Sequence, residues 1–98
     1  MQMVKQLLKM NKEVYLVTTY KCSACKLMAY ILKEVLEDRP DVELKTLDYT
    51  ELPEWIKTNV RLSDFPCVIF VVDDVIKFTF TGTKPTREVR QIIKAINF

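Results

Sequence analysis

Apolar and polar positions change rhythm several times along this chain, and each change marks an element. Met3, Val4, Leu7, Leu8 and Met10 fall at helical spacing with Lys5, Gln6 and Lys9 between them, which predicts a short amphipathic helix over residues 2–10. Asn11 offers a stop. From Glu13 to Thr19 the residues are β-branched and nearly continuously apolar, the pattern of a strand covered on both faces. Leu27, Met28, Ile31, Leu32, Val35 and Leu36 then lay a wide apolar stripe along a helix running from Lys26 to Glu37. Pro40 ends it, because the residue before a proline is pushed out of the α region. Val42–Asp48 predicts a second strand, and strand–helix–strand order implies a right-handed crossover between parallel strands.

Thr50 is expected to cap a short helix through about Thr58, with Trp55 and Ile56 turning inward. Arg61 to Phe65 reads as a connector. Cys67–Val72 is the most apolar run in the chain and predicts a central strand. Asp73-Asp74 is a two-residue turn signal, after which Val75–Thr81 returns as an antiparallel partner. Gly82, the only glycine, interrupts that strand, and Pro85 and Thr86 introduce a last helix. Its buried face is Val89, Ile92, Ile93 and Ile96, spaced i, i+3, i+4, i+7. The expected order is α-β-α-β-α-β-β-α, one α/β domain over residues 1–98.

Composition narrows the function more than the fold. At 98 residues, with 49% apolar and 29% charged residues, the chain is of ordinary globular make-up for a single domain. Its net charge of +2 is spread along the whole sequence, so no basic stripe predicts nucleic-acid binding. No apolar run approaches the roughly 20 residues of a membrane span. The first ten residues carry charges within their apolar stretch and no cleavage pattern, so no secretory signal is expected. Three cysteines are too few for a disulfide scaffold, and the expected setting is reducing and cytoplasmic.

The chemistry concentrates in Cys22-Ser23-Ala24-Cys25, between the first strand and the helix after it. Two intervening residues let the sulfurs meet across one tight turn. The unpaired N–H groups and positive dipole end of that helix favour a thiolate on Cys22, and the thiolate is the nucleophile. Half a zinc site is the competing reading. One further cysteine and no histidine leave a tetrahedral ligand set hard to complete, so neither metal nor other cofactor is expected.

Three features in this order resemble the thioredoxin/glutaredoxin superfamily: the Cys22–Cys25 motif after the first strand, Phe65-Pro66-Cys67-Val68-Ile69-Phe70 entering the third, and Gly82 before the terminal helix. The resemblance spans nearly the whole chain. It implies a thioredoxin-like fold, a central four-stranded mixed sheet with helices on both faces. It also implies an exposed Cys22 that attacks, a shielded Cys25 that resolves, and a cis Phe65–Pro66 bond. That bond would hold the Phe65 backbone beside Cys22, with Tyr20 and Phe65 as walls of a substrate groove. Partial core burial is the competing reading for both aromatics.

Two positions depart from the thioredoxin pattern. Lys21 stands where tryptophan usually precedes the first cysteine, and Leu16 stands where the family carries a buried acid. Lys21 reads either as a cation favouring the Cys22 thiolate or as an ordinary exposed lysine. Cys67 reads as a small buried hydrophobe in preference to a third exchanging thiol, so a Cys22–Cys25 bridge with Cys67 reduced is expected. Gly82-Thr83-Lys84-Pro85-Thr86 replaces the glutaredoxin Gly-Gly and acidic pair that hold glutathione, which favours protein disulfides as substrates. The reading is thus a monomeric thiol–disulfide oxidoreductase, with a thioredoxin reductase or glutathione as electron donor. A thioredoxin-fold peptide-binding module with an idle cysteine pair, or a glutaredoxin using glutathione, is the alternative.

Overall fold

The computed structural model describes residues 11–98, so the helix expected over 2–10 lies outside the described residues. Its elements are β1 (Lys12–Thr18), α1 (Ser23–Val35), β2 (Val42–Asp48), a 3₁₀ turn (Tyr49–Glu51), α2 (Glu54–Asn59), β3 (Cys67–Val72), β4 (Val75–Thr81) and α3 (Thr86–Ala95). The four strands form one sheet in the order β2-β1-β3-β4. β1 runs parallel to β2, with Lys12 opposite Val42 and Thr18 opposite Asp48. It runs antiparallel to β3, which is antiparallel to β4.

Strand alternation sorts the side chains into two cores, one on each face. Val14 and Leu16 of β1 and Val68 and Phe70 of β3 meet Met28, Leu32 and Val35 of α1 and Val89 and Ile93 of α3. The odd-numbered residues Tyr15, Val17, Cys67, Ile69 and Val71 face the other way and meet Leu52 and Ile56. Helices therefore cover both faces, and the central strands β1 and β3 are apolar on both sides because neither side sees water. Each fully buried Leu, Val or Phe contributes roughly 1.5–3 kcal/mol relative to exposure.

Local chemistry sets the ends of the elements. Asp73 and Asp74 both take left-handed φ values, 49° and 62°, the twist a two-residue hairpin needs. In β4, Phe78 lies opposite Phe70 but Ile76 lies opposite Val71, so Lys77 is an extra residue in the strand. That bulge swaps the facing pattern: Phe80 enters the first core while Ile76 packs on the second. After α3, Asn97 at φ 60° turns the chain back and Phe98 packs edge-on against Phe70, ring centroids 5.2 Å apart.

Five local expectations are corrected. α1 begins at Ser23 and not Lys26, so Cys25 belongs to its first turn. Leu27 is half exposed, outside the buried stripe of Cys25, Met28, Ile31, Leu32 and Val35. Thr50 does not cap α2; it sits within the 3₁₀ turn, and Pro53 precedes the helix. Trp55 faces outward while Ile56 is fully buried, because neighbours on a helix point about 100° apart and a six-residue helix offers one inward position. Leu52, ahead of the helix, fills the second place. In α3, Val89 and Ile93 are buried, whereas Ile92 and Ile96 pack at the margin of the core.

Glu13 is the buried charged residue among those described, 5% exposed on the second-core face of β1. Its Oε2 lies 2.6 Å from the Lys45 ammonium and accepts a long hydrogen bond, 3.4 Å, from the Tyr15 hydroxyl. The hydrogen bond to Glu13 holds the Lys45 pKa above its usual value. Lys45→Met should strand the carboxylate and cost about 1–3 kcal/mol in chemical denaturation. Adding Glu13→Leu should recover most of that loss, since an apolar pair suits the site better than half an ion pair.

Candidate active site

β1 delivers the chain to the reactive end of the sheet, and the first turn of α1 receives it. Between them Lys21 adopts φ 55°, the left-handed region that non-glycine residues enter at a cost of about 1–2 kcal/mol. This turn sets Cys22 in an extended conformation, φ −105° and ψ 97°, as the N-cap of α1. Serine, threonine or aspartate usually holds that position. Here the Cys22 Sγ accepts the Cys25 backbone N–H at 3.1 Å, so the sulfur itself satisfies one of the helix's open donors.

Cys22 and Cys25 form a disulfide with their Cα atoms 5.2 Å apart, inside the window such bonds require. The two sulfurs differ in access. Cys22 is partly exposed, whereas Cys25 is only 4% exposed, on the same side of α1 as Met28 and Leu32. The third cysteine is elsewhere: Cys67 starts β3 opposite Val17, is 1% exposed, and packs with Tyr15 and Ile69 in the second core. Burial pushes its thiol pKa up to about 11. It is unpaired and behaves as a small hydrophobe.

The expected site residues fall on two flanks of the pair. On the β2 flank, Tyr20, Lys21, Cys22 and Cys25 border a depression of about 630 Å³. Sequence reasoning missed Ser23, Lys26 and Thr46, which line it together with Thr18, Thr19 and Ala29. Lys26 was legible as the residue one turn beyond Cys22, and Thr46 as the β2 residue sharing a sheet face with Val42 and Leu44. Tyr20 is 84% exposed, which sets aside its burial in the core, and the Lys21 ammonium lies 5.6 Å from its ring centroid.

On the β3 flank stand Phe65 and Pro66, which do not border that depression. Cys67 pairs with Val17, so Pro66 sits level with Thr18 at the same end of the sheet as the disulfide. The Phe65–Pro66 peptide is cis, the Pro66 ring is fully buried, and the Pro66 carbonyl accepts the Gly82 N–H at 2.8 Å. Gly82 meets it at φ 83°, which favours glycine over any residue with a Cβ. Phe65 is half-buried against the second core, its ring 5.7 Å from that of Tyr49.

The thioredoxin family model matches residues 2–95. The chain belongs to the thioredoxin family. A curated thioredoxin of Mycoplasmoides gallisepticum (strain R(low / passage 15 / clone 2)) is 31% identical over 91 residues, covering 91% of this chain and 89% of that protein. Among solved structures, chloroplastic thioredoxin z is similar at a TM-score of 0.70 and 19% identity, over 98% of this chain and 86% of the other. Oxidised mitochondrial thioredoxin 3 of Saccharomyces cerevisiae is similar at 0.69 and 23% identity, over 95% and 88%. Family membership together with the bonded Cys22–Cys25 pair makes this thioredoxin-family chain a thiol–disulfide oxidoreductase.

The raised Cys67 pKa has a consequence for stability. Because the folded thiol ionises near pH 11 and the unfolded one nearer 9, the unfolded chain holds fewer protons between those values. The contribution is intact below about pH 9 and is lost as pH rises toward 11, about 3 kcal/mol at most. Denaturation of wild type and Cys67→Val across this range should show a shallower alkaline decline in the variant.

Proposed function

We propose that this thioredoxin-family chain exchanges electrons with protein disulfides through Cys22 as the attacking sulfur and Cys25 as the resolving one, recharged by a reductase or a small thiol. The observation that carries the assignment is the difference in access within one turn of helix: Cys22 reaches solvent at the helix start and Cys25 does not. In the reduced form the Cys25 amide, already aimed at the Cys22 Sγ, would stabilise a thiolate there. Lys21 adds a neighbouring cation.

The thiolate attacks one sulfur of the substrate disulfide, forms a mixed disulfide, and expels the other sulfur as a thiolate. The Cys25 thiolate then attacks the Cys22 sulfur, which restores the intramolecular bond and frees the reduced substrate. Substrate docking is assigned to Tyr20 and Lys21 on one side and to Phe65 and Pro66 on the other, where an extended segment could pair with the Phe65 backbone. A reducing, cytoplasmic setting fits a chain whose pair must cycle through the dithiol and whose Cys67 stays unpaired.

Trapping separates the two sulfurs. With a disulfide-bonded test protein, Cys25→Ser should accumulate a mixed disulfide on Cys22, and Cys22→Ser should lose turnover and trap nothing. An adduct found on Cys25 in the Cys22→Ser protein would reverse the roles.

A further inference from the structure

We propose that the depression on the β2 flank is a carboxylate-binding subsite, and that through it the Cys22–Cys25 pair reacts preferentially with low-molecular-weight thiols and disulfides that carry carboxylates. The inference rests on Cys22 being the sulfur that exchanges. It adds a substrate class, and a place for that class, to the protein disulfides assigned above.

Three observations point the same way. Both residues of the reactive bond line the depression, including Cys25, which is only 4% exposed. Its volume of about 630 Å³ lies within the range of sites that hold small molecules, and a peptide-sized thiol would fill it. Its charge is one-sided. Lys21 and Lys26 line it together with the hydroxyls of Ser23 and Thr46, and no carboxylate does.

Neither lysine is neutralised by another described residue. The ion pairs among those residues engage Lys12, Arg39 and Lys45. The Lys21 ammonium rests against the exposed Tyr20 ring, and the left-handed backbone at Lys21 fixes where its side chain leaves the turn. The carboxylate nearest along β2, Asp48 at the strand end, is not among the lining residues; its Oδ2 accepts the Thr50 hydroxyl at 3.2 Å where the 3₁₀ turn begins. Two cations and several hydroxyl donors beside a disulfide, with no internal anion, form a recognition set for an anionic group on the partner of that disulfide.

The chemistry balances without a further reagent. A small thiolate bound with its carboxylate against Lys21 and Lys26 attacks the Cys22 Sγ. The Cys22–Cys25 bond breaks, a mixed disulfide forms on Cys22, and Cys25 leaves as a thiolate that takes a proton from water. A second small thiolate attacks the small-molecule sulfur of that mixed disulfide, releasing the symmetrical small disulfide and the Cys22 thiolate. Two thiols are oxidised and one protein disulfide is reduced. Run backward, the same steps let the reduced chain consume a carboxylate-bearing disulfide.

The test is a comparison of rates. The reduced protein is mixed in turn with a neutral disulfide (bis(2-hydroxyethyl) disulfide), a dicarboxylate (dithiodiglycolate) and a diamine (cystamine). Each rate constant is divided by that of dithiothreitol with the same compound, so intrinsic reactivity cancels. The dicarboxylate should lead the neutral compound by about 3- to 10-fold at low ionic strength, the diamine should trail it, and the spread should shrink in 0.5 M salt. The dicarboxylate-to-neutral ratio should fall toward one in Lys26→Gln and invert in Lys26→Glu, while Lys33→Gln, at an exposed position away from the depression, should leave the ratio unchanged. Any general change in Cys22 nucleophilicity moves all three rates together and leaves the ratio alone. Equal normalised rates in wild type would overturn the subsite and leave the oxidoreductase reading standing. Failure to react with any of the three would overturn the reading on which it rests. A charge preference seen with acidic protein disulfides but absent from the small ones would assign the lysines to protein docking and overturn the proposal.

Discussion

The reactive end of this molecule depends on a single constraint: a sulfur has to serve as the N-cap of a helix. Once the Cys22 Sγ accepts the Cys25 N–H, the helix must begin at Ser23, and the chain must enter it through a sharp left-handed residue at Lys21. The helical repeat then settles the rest. Cys25, Met28, Leu32 and Val35 follow at i, i+3, i+7 and i+10 and share the buried face. The inaccessibility of the second sulfur thus follows from the phase set by the first. A change that moved the cap by one residue would rotate Cys25 by about 100° and expose it.

That geometry is only as firm as the strands that carry it. β1 is central, buried on both faces and paired on both edges, so the segment leading to Lys21 leaves a rigid strand. β3 brings Pro66 to the same level from the other side, where the Gly82 N–H ties its carbonyl. The two-sided core also keeps the thiols apart. Cys67 is close to this end in sequence register, yet strand alternation sends its sulfur into the second core while Cys25 packs toward the first. Three cysteines in a small chain thus stay one reactive pair and one inert side chain.

Much of this was legible in the residues, for reasons that also explain the misreadings. The strands and long helices have enough residues to show their period, and the turn at Asp73-Asp74 has few ways to be built. The start of α1 was misplaced because apolar periodicity begins only at Leu27, while the cap that starts the helix is a cysteine, outside the usual capping residues. Trp55 was misread because six residues cannot define a face, and an aromatic looks like core in any short helix. Glu13 gave no sign of burial, since a charged residue near the start of a strand normally reaches water; its partner Lys45 lies on another strand, where only the β1–β2 register reveals it. The direction of the Cys67 sulfur needed the sheet pairing for the same reason. Lys26 and Thr46 join one depression only once the crossover places β2 beside α1.

The exchange of the family's buried acid for Leu16 gives the β2 flank its importance. Leu16 is fully buried in the first core with Met28 and Leu32, so no titratable group at this position can hold a proton for Cys25. The buried carboxylate the chain does possess, Glu13, faces the second core from the opposite end of β1 and is neutralised by Lys45, so it cannot stand in. Cys25, 4% exposed, borders the depression on the β2 flank. On that side the charged side chains that line it are those of Lys21 and Lys26. The charges on which the proposed anion preference rests are therefore the ones beside the pair on that flank, and the preference weakens as salt screens them.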